Sequence, residues 1–488
     1  MEVRTQLFRS AAREALTDAP LQKALENVQR GFPGKRADAI ARLPEWEAVR
    51  EHGTAIRSHA VAYLDEYLER FEQQVSASGG QVHWARDAGE AREAVAGICR
   101  AAGARTVTKG KSMATEEIGL NDHLQGLGFE PVETDLGEYI LQLRGDKPSH
   151  IIAPAIHLRR DQIRAAFDAH HGPEFSTHSD GHAELQGEAR HALRQRFLEA
   201  DVGITGANFC IAETGSTVIV TNEGNGDLTQ CLPRVHVVVA GIDKIVPTLE
   251  DASTLLRLLA RSATGQDLSV YTTFSTGPRR AEDLDGPEEF HVVLLDNGRS
   301  DMLGGDFESM LRCIRCGACM NHCPVYGAVG GHAYGWVYPG PMGAVLTPQM
   351  VGIERSADLP NASTFCGRCA EVCPVQIPLP DLMRRWRERA HDAGADSAAA
   401  RWGLGAWAWL ARRPLVYRQL ACLQARALRW LAHGHGRLRR VPLGRGWTAG
   451  RDLPAPAGRT FSELWRARSG AQDAARTAAS GSDSHERA

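Results

Sequence analysis

No run of about eighteen consecutive apolar residues, the length that crosses a bilayer as a helix, occurs in this 488-residue sequence. A membrane-spanning helix is therefore not expected. The opening MEVRTQLFRSAAREALTDAP is charged and amphipathic and lacks the apolar centre of a secretion signal, so the expected location is cytoplasmic. Charge imbalance is also missing: 56 Lys and Arg against 59 Asp and Glu leave a net −3, too little to attract nucleic acid or acidic lipid to the molecule as a whole. No nucleotide fingerprint appears, neither GxGxxG nor GxxxxGK followed by Ser or Thr. Cysteine is scarce, and its total of eleven is odd, which suits a ligand set better than a disulfide framework.

What is present is unevenly distributed. Hydrophobic residues at 43% and charged residues at 24% exclude a disordered or fibrous chain, and the length predicts several domains. Residues 1–75 read as a helical lead-in of two helices divided at Pro33 and Gly34, and no residue there suggests chemistry. Residues 76–297 alternate short β-branched runs with helical windows, the pattern of an α/β domain with a largely parallel sheet. The expected strands are Arg105–Thr108, Pro131–Thr134, His150–Ala153, Cys210–Ala212, Thr217–Thr221, Val235–Ala240, Leu268–Phe274 and His291–Leu295. Residues 298–390 are rich in Cys, Gly and Pro and read as a separate module. A helical region, 391–465, is dense in Arg and Trp, and 466–488 reads as a disordered tail.

The strongest signal is CIRCGACMNHCP, residues 313–324. Cys313, Cys316, Cys319 and Cys323, followed by Pro324, reproduce the C-x2-C-x2-C-x3-C-P run of bacterial 4Fe–4S ferredoxins. Two-residue spacers wrap a tight loop around three corners of a cube, and Gly317 and Ala318 keep bulk away from it. In a two-cluster module the fourth cysteine serves the other cluster, and a second half-run does follow. FCGRCAEVCP, residues 365–374, supplies Cys366, Cys369 and Cys373 before Pro374, with Ser363 where a first cysteine would stand. Cross-ligation then gives one cluster Cys313, Cys316, Cys319 and Cys373, and leaves the second with Cys323, Cys366 and Cys369. The fourth ligand of the second cluster stays open between Ser363, another side chain, water and a three-iron species. Zinc fits poorly, because structural zinc sites space their cysteine pairs about 15–20 residues apart.

With these residues in view, the chain resembles the lactate-utilisation iron–sulfur protein B family of L-lactate-oxidation operons. The likeness runs through KSMATEEIGLN (111–121), PSHIIAPAIH (148–157), TGANFCIAETGSTVIVTNEGNGDL (205–228), TGPRRAEDLDGPEEFHVVLLDNGRSDML (276–303), both cysteine runs and GHAYGWVYPGPMGAVLTP (331–348). It implies an α/β domain related to sugar-phosphate isomerases and CoA transferases, followed by a two-cluster ferredoxin-like module. It also implies two companions, a cysteine-rich protein related to heterodisulfide-reductase subunits and a small protein sharing the α/β domain. The role implied is that of an electron carrier in L-lactate oxidation to pyruvate; a self-sufficient oxidoreductase and a structural iron–sulfur scaffold are the alternatives.

Two further regions invite a functional reading. Glycines beside small polar residues in Thr205–Gly226 can form a backbone-lined anion pocket. Its candidate residues are Lys109, Lys111, Ser112, Asn208, Glu213, Thr214, Asn222 and Glu223; plain turn chemistry and a relic of an isomerase site are the other readings. Cys210 and Cys231 are expected as buried thiols, and His157, His236 and His291 as structural histidines. Finally, residues 402–440 carry a broad apolar face opposite arginines, suited to a partner, to peripheral contact with a membrane surface, or to packing on the cysteine module. No nucleic-acid motif accompanies it.

Overall fold

The computed structural model describes residues 2–482 apart from 111, 176, 177, 396, 442, 443, 445–447 and 449. Apolar spacing of three and four makes helices at the N-terminus, but the chain is divided differently than expected, into Phe8–Ala15, Ala19–Ala41, Trp46–Ala62 and Leu64–Ala77. The Asp18 side chain caps the second helix by accepting from the Leu21 N–H at 3.0 Å. Pro33 lies inside that helix rather than ending it. Proline removes one donor, and Leu25, Val28 and Ala39, buried on both sides of it, hold the helix through the gap.

The α/β region is built on six parallel strands: β1 (Gln81–Ala85), β2 (Thr106–Lys109), β3 (Glu130–Glu133), β4 (Val202–Gly206), β7 (Val235–Gly241) and β10 (Glu289–Leu295). Their order is β1-β10-β7-β4-β2-β3. Strand alternation divides the apolar residues cleanly. Val237, Val239, Val293 and Leu295 pack with Val95, Cys99 and Leu120 on one face, whereas Val238, Ala240, Val292 and Leu294 meet Leu64, Leu68, Phe71 and Val75 on the other. A smaller mixed sheet joins β5 (Phe209–Ile211), β6 (Ser216–Thr221), β8 (Ile245–Val246) and β9 (Tyr271–Ser275) in the order β8-β5-β6-β9. The chain leaves β2 toward β3 on one side and returns to β4 on the other. That reversal places a topological switch point beyond the carboxyl ends of β2 and β4, where open α/β sheets bind ligands.

His150–Ala153, expected as a strand, is a non-repetitive loop instead. Its backbone donors are taken locally: the Ile152 and Ala153 N–H groups donate to His150 Nδ1 at 3.0 and 3.2 Å. With Nδ1 accepting, Nε2 carries the proton and donates to Asn321 Oδ1 at 2.9 Å, between Cys319 and Cys323. Tyr326 also donates through its hydroxyl to the Ser149 carbonyl at 2.8 Å. Gly331 permits the approach, since a Cβ there would lie 1.7 Å from that same carbonyl oxygen. The cysteine-rich region 298–390 thus shares its packing with the α/β region. One apolar core runs from Phe8, Trp46 and Ile56 through Phe209, Val218 and Leu255 to Met310, Tyr334, Leu379 and Trp386.

This first compact unit ends at Ala395, and a second unit follows. The second contains helices Ala398–Ala411 and Pro414–Leu431, neither of which buries a residue, with Trp402, Trp407, Trp409 and Trp430 all exposed. Of the tail 466–488 expected to be disordered, the part up to Ser482 continues the helix Phe461–Ser482, as its alanine and arginine content favours; residues 483–488 lie outside the described residues. Among the described residues, no helix is long and apolar enough to cross a membrane.

Candidate functional site

The two cysteine runs share one backbone conformation. A non-glycine residue with positive φ precedes a cysteine in each, Arg315 (φ 57°) before Cys316 and Phe365 (φ 54°) before Cys366. Left-handed glycines follow, Gly317 (φ 72°) and Gly367 (φ 83°), each opening a one-turn helix, Ala318–Asn321 or Arg368–Glu371. Such non-glycine backbone costs on the order of 1–3 kcal/mol per residue and concentrates at functional sites. It turns amide donors inward. The Arg315 N–H donates to Cys313 Sγ at 3.4 Å, and at the equivalent place the Phe365 N–H donates to Ser363 Oγ at 3.1 Å. Ser363 therefore occupies the position of Cys313 in structure as well as in sequence. Tyr326 and Ile377 similarly donate their N–H groups to Cys323 and Cys373 at 3.5 and 3.4 Å.

The fold brings the cysteines into two groups. Cys313, Cys316, Cys319 and Cys373 line one hollow, enclosed by Ile151, Met310, Met342 and Ile377. Cys323, Cys366 and Cys369 are close enough for their charges to interact. Burial, then proximity to Cys373, pushes the Cys316 thiol up to about 12, and burial raises Cys369 to about 12. Cys366 is lowered instead, first by the Arg368 N–H. Buried sulfur sets of this kind release their protons to a strongly positive partner, as iron–sulfur clusters are. Tyr334 adds to the fit: its hydroxyl is fully buried, has no hydrogen-bond partner among the described residues, and lies in the electrostatic range of Cys323 and Cys319. A cluster held by either thiol would offer the acceptor that this hydroxyl lacks.

The N-terminal helices, silent in the sequence, clamp these loops with arginines. Arg36 donates to the Val372 carbonyl at 2.9 Å, and Arg50 to the carbonyls of Glu371 and Cys373, each at 2.9 Å. Arg57, 1% exposed, donates to the carbonyls of Leu311 and Arg312 before Cys313, and to those of Asp243 and Ile245. Their partners are backbone atoms, so no sequence pattern marks them.

A cavity of about 480 Å³ lies at the switch point, bounded by Ser112 after β2, Gly206 and Asn208 after β4, and Gly241 and Lys244 after β7. Arg315 reaches it from the first cysteine run. Of the anion-pocket residues read from the sequence, Ser112, Asn208, Asn222 and Glu223 line it. Lys109 does not. It is buried in ion pairs with Glu116 (2.8 Å) and Glu133 (2.7 Å); burial opposes its charge, but these carboxylates outweigh that and raise its pKa. Glu213 instead accepts from the Leu249 N–H at 3.0 Å at the start of helix Leu249–Ala263, and Thr214 donates to Ser216 Oγ at 2.8 Å within a turn. Lys111 lies outside the described residues. The cavity's cations are Lys244, Arg299 and Arg315, none of which the sequence pattern singled out. Arg299 is locked to Glu117 and Asp243 at 2.7 Å each. Cys210 is buried as expected, whereas Cys231 is exposed, because it sits at the open end of a short helix. His236 is held at Thr205 Oγ1, 2.9 Å away, and His291 beside His83, both structural placements.

Comparison with known proteins gives matches along most of the chain. The LUD domain family matches residues 68–295, and the 4Fe-4S dicluster domain family matches residues 309–377. Lactate utilization protein B of Shouchella clausii is 43% identical over 94% of this chain and 97% of its own. Lactate utilization protein B of Oceanobacillus iheyensis is 43% identical over 92% and 93%. The uncharacterized electron transport protein YkgF of Escherichia coli is 41% identical over 94% of this chain and 96% of its own.

Proposed function

The chain belongs to the lactate utilization protein B family, and from that premise we propose that it is the iron–sulfur electron-transfer subunit of a complex oxidising L-lactate to pyruvate. The observation that carries this reading is the hollow lined by four cysteines from both runs, one layer of side chains from the cavity at the sheet's switch point. In the proposal, Cys313, Cys316, Cys319 and Cys373 hold one 4Fe–4S cluster, and Cys323, Cys366 and Cys369 hold a second whose remaining position faces Ser363. Such clusters accept and release single electrons. The chain's own part is to hold them in a buried setting, with Arg36, Arg50 and Arg57 fixing the loops. The proposed companions are the cysteine-rich heterodisulfide-reductase-like protein and the small α/β protein. The exposed Trp and Arg of helices Ala398–Ala411 and Pro414–Leu431 suit their docking, because interfaces favour those residues.

The test is anaerobic. The purified chain is mixed with L-lactate, with and without the two companions, and its visible iron–sulfur absorption is followed. Bleaching that needs the companions supports the subunit reading. Bleaching of the chain alone identifies a self-sufficient oxidoreductase, for which the adjoining cavity is the favouring observation. No bleaching in either mixture refutes both.

A further inference from the structure

The cavity at the carboxyl ends of β2, β4 and β7 is lined by two polar side chains, Lys244 and Asn225, with donors left over. Lys244 follows β7 and lines the cavity. Among the described residues its ammonium has neither a hydrogen-bond nor an ion-pair partner, because its neighbour Asp243 is engaged by Arg299 at 2.7 Å and by Arg315 at 3.3 Å. Asn225, which also lines the cavity, is 6% exposed, and its Nδ2 donor has no partner among the described residues. A buried amide donor left unpaired is costly, so a ligand acceptor there would be rewarded. Arg57, Lys244, Arg299 and Arg315 gather around Asp243, and Arg299 also pairs with Glu117; Asp135 and Glu223 are the acids that line the cavity itself. Of the acids on the wall, Asp135 spends its carboxylate on the Gly137 and Glu138 N–H groups at 2.9 and 3.3 Å. The remaining wall is apolar, including Phe32, Ile152 and Ile219.

Ile151 and Arg315 line both this cavity and the hollow of Cys313, Cys316, Cys319 and Cys373. A molecule in the cavity is thus separated from the four-cysteine set by a single layer of side chains. We propose that the cavity binds a small 2-hydroxy or 2-oxo carboxylate, its charge met by Lys244 and an oxygen by the Asn225 amide. The choice of acid rests on the lactate-oxidation reading; the site rests on the cavity and its unpaired donors. Volume is ample for a three-carbon acid, and the apolar wall admits a longer chain, so 2-hydroxybutanoate belongs among the probes.

The experiment titrates the iron-loaded full-length chain with L-lactate, pyruvate, 2-hydroxybutanoate and inorganic phosphate by calorimetry, with the visible circular dichroism of the clusters as a second readout. One saturable site for the carboxylates, with a change in the cluster signal, is expected. Lys244→Met should weaken it at least about tenfold, the scale of losing one charged partner in a buried pair. Lys244→Arg keeps the charge and should retain binding, which separates loss of the site from loss of the fold. Three results overturn the proposal: no carboxylate binding at tens of millimolar, binding of phosphate alone, or Lys244→Met changing the cluster signal while carboxylate affinity stays the same. If carboxylates fail to bind but L-lactate still bleaches the clusters when companions are present, only this site falls. If they bind and no bleaching occurs, the site stands and the electron-transfer reading falls.

Discussion

Replacing Arg57 by methionine removes a side chain that ties the first cysteine loop to the small sheet by hydrogen bonds. Its guanidinium is buried and donates to the carbonyls of Asp243, Ile245, Leu311 and Arg312. Arg312 immediately precedes Cys313, and Ile245 lies in β8. Taking the lower figure of roughly 1 kcal/mol for each buried carbonyl left without a donor, the four together cost about 4 kcal/mol. Burial works against the cation, pulling Arg57 down to about 10, and its removal returns part of that cost, leaving a net loss of about 3 kcal/mol. At about 1.2 °C per kcal/mol for a compact unit that runs to Ala395, from about 2.1 cal/mol/K of unfolding entropy per residue, the melting temperature should fall by roughly 4 °C. Iron should be lost from the Cys313–Cys373 set first. Arg57→Lys keeps the charge but not the fork of donors, and should recover only a fraction. The assay is thermal unfolding followed by circular dichroism, beside iron analysis of the purified variants. An Arg57→Met chain that melts within about 2 °C of the parent and keeps its full iron would show that the clamp is incidental.

Three other expectations can be checked alongside it. Iron analysis should give roughly eight atoms per chain, two four-iron clusters; Cys366→Ser should lose the three-thiolate cluster while the other signal persists, and Cys313→Ser should strike the four-thiolate one. Because Ser363 stands where Cys313 does in the other run, Ser363→Cys should alter the electron paramagnetic resonance of the second cluster and Ser363→Ala should lower its iron occupancy; identical spectra in all three chains would remove Ser363 as a ligand. Burial lowers His236 from the ordinary 6.5 to about 3, so the unfolded chain takes up its proton first as pH falls. Its contribution to stability is whole above pH 6.5 and declines between 6.5 and about 3, at up to about 1.4 kcal/mol per pH unit; a chain with His236→Gln should show a shallower loss over that window in urea titrations.

The cysteine ligand candidates were legible because ferredoxin-type runs are local: their spacing is the geometry. Strands β7 and β10 were legible for a similar reason, as buried parallel strands rich in Val and Leu. β4 was not, since Val202–Gly206 carries two glycines; Gly203 is there because a Cβ would meet the Thr229 carbonyl oxygen at 1.9 Å, a contact no local pattern records. His150–Ala153 misled because its isoleucines face cavity and core while its amides are satisfied by His150. Lys109 looked like an anion-pocket residue, and only the folded placement of Glu116 and the more distant Glu133 shows that it is already paired. The arginine clamps were out of reach altogether, with Arg36 and Val372 separated by 336 positions.

The hollow shared by Cys373 and the three cysteines around Gly317 also fixes an order of events during synthesis. The N-terminal helices leave the ribosome first, yet Arg36 and Arg50 have no carbonyls to hold until residues 371–373 follow. Three cysteines of the first run emerge well before the fourth wall of their hollow. Pairings this remote form slowly, and domains early in a chain otherwise tend to fold first. The nascent protein therefore carries unsatisfied arginines through most of its translation, and an incomplete cysteine set from Cys319 until Cys373. A ribosome stalled before Cys373 would release a product unable to close that hollow.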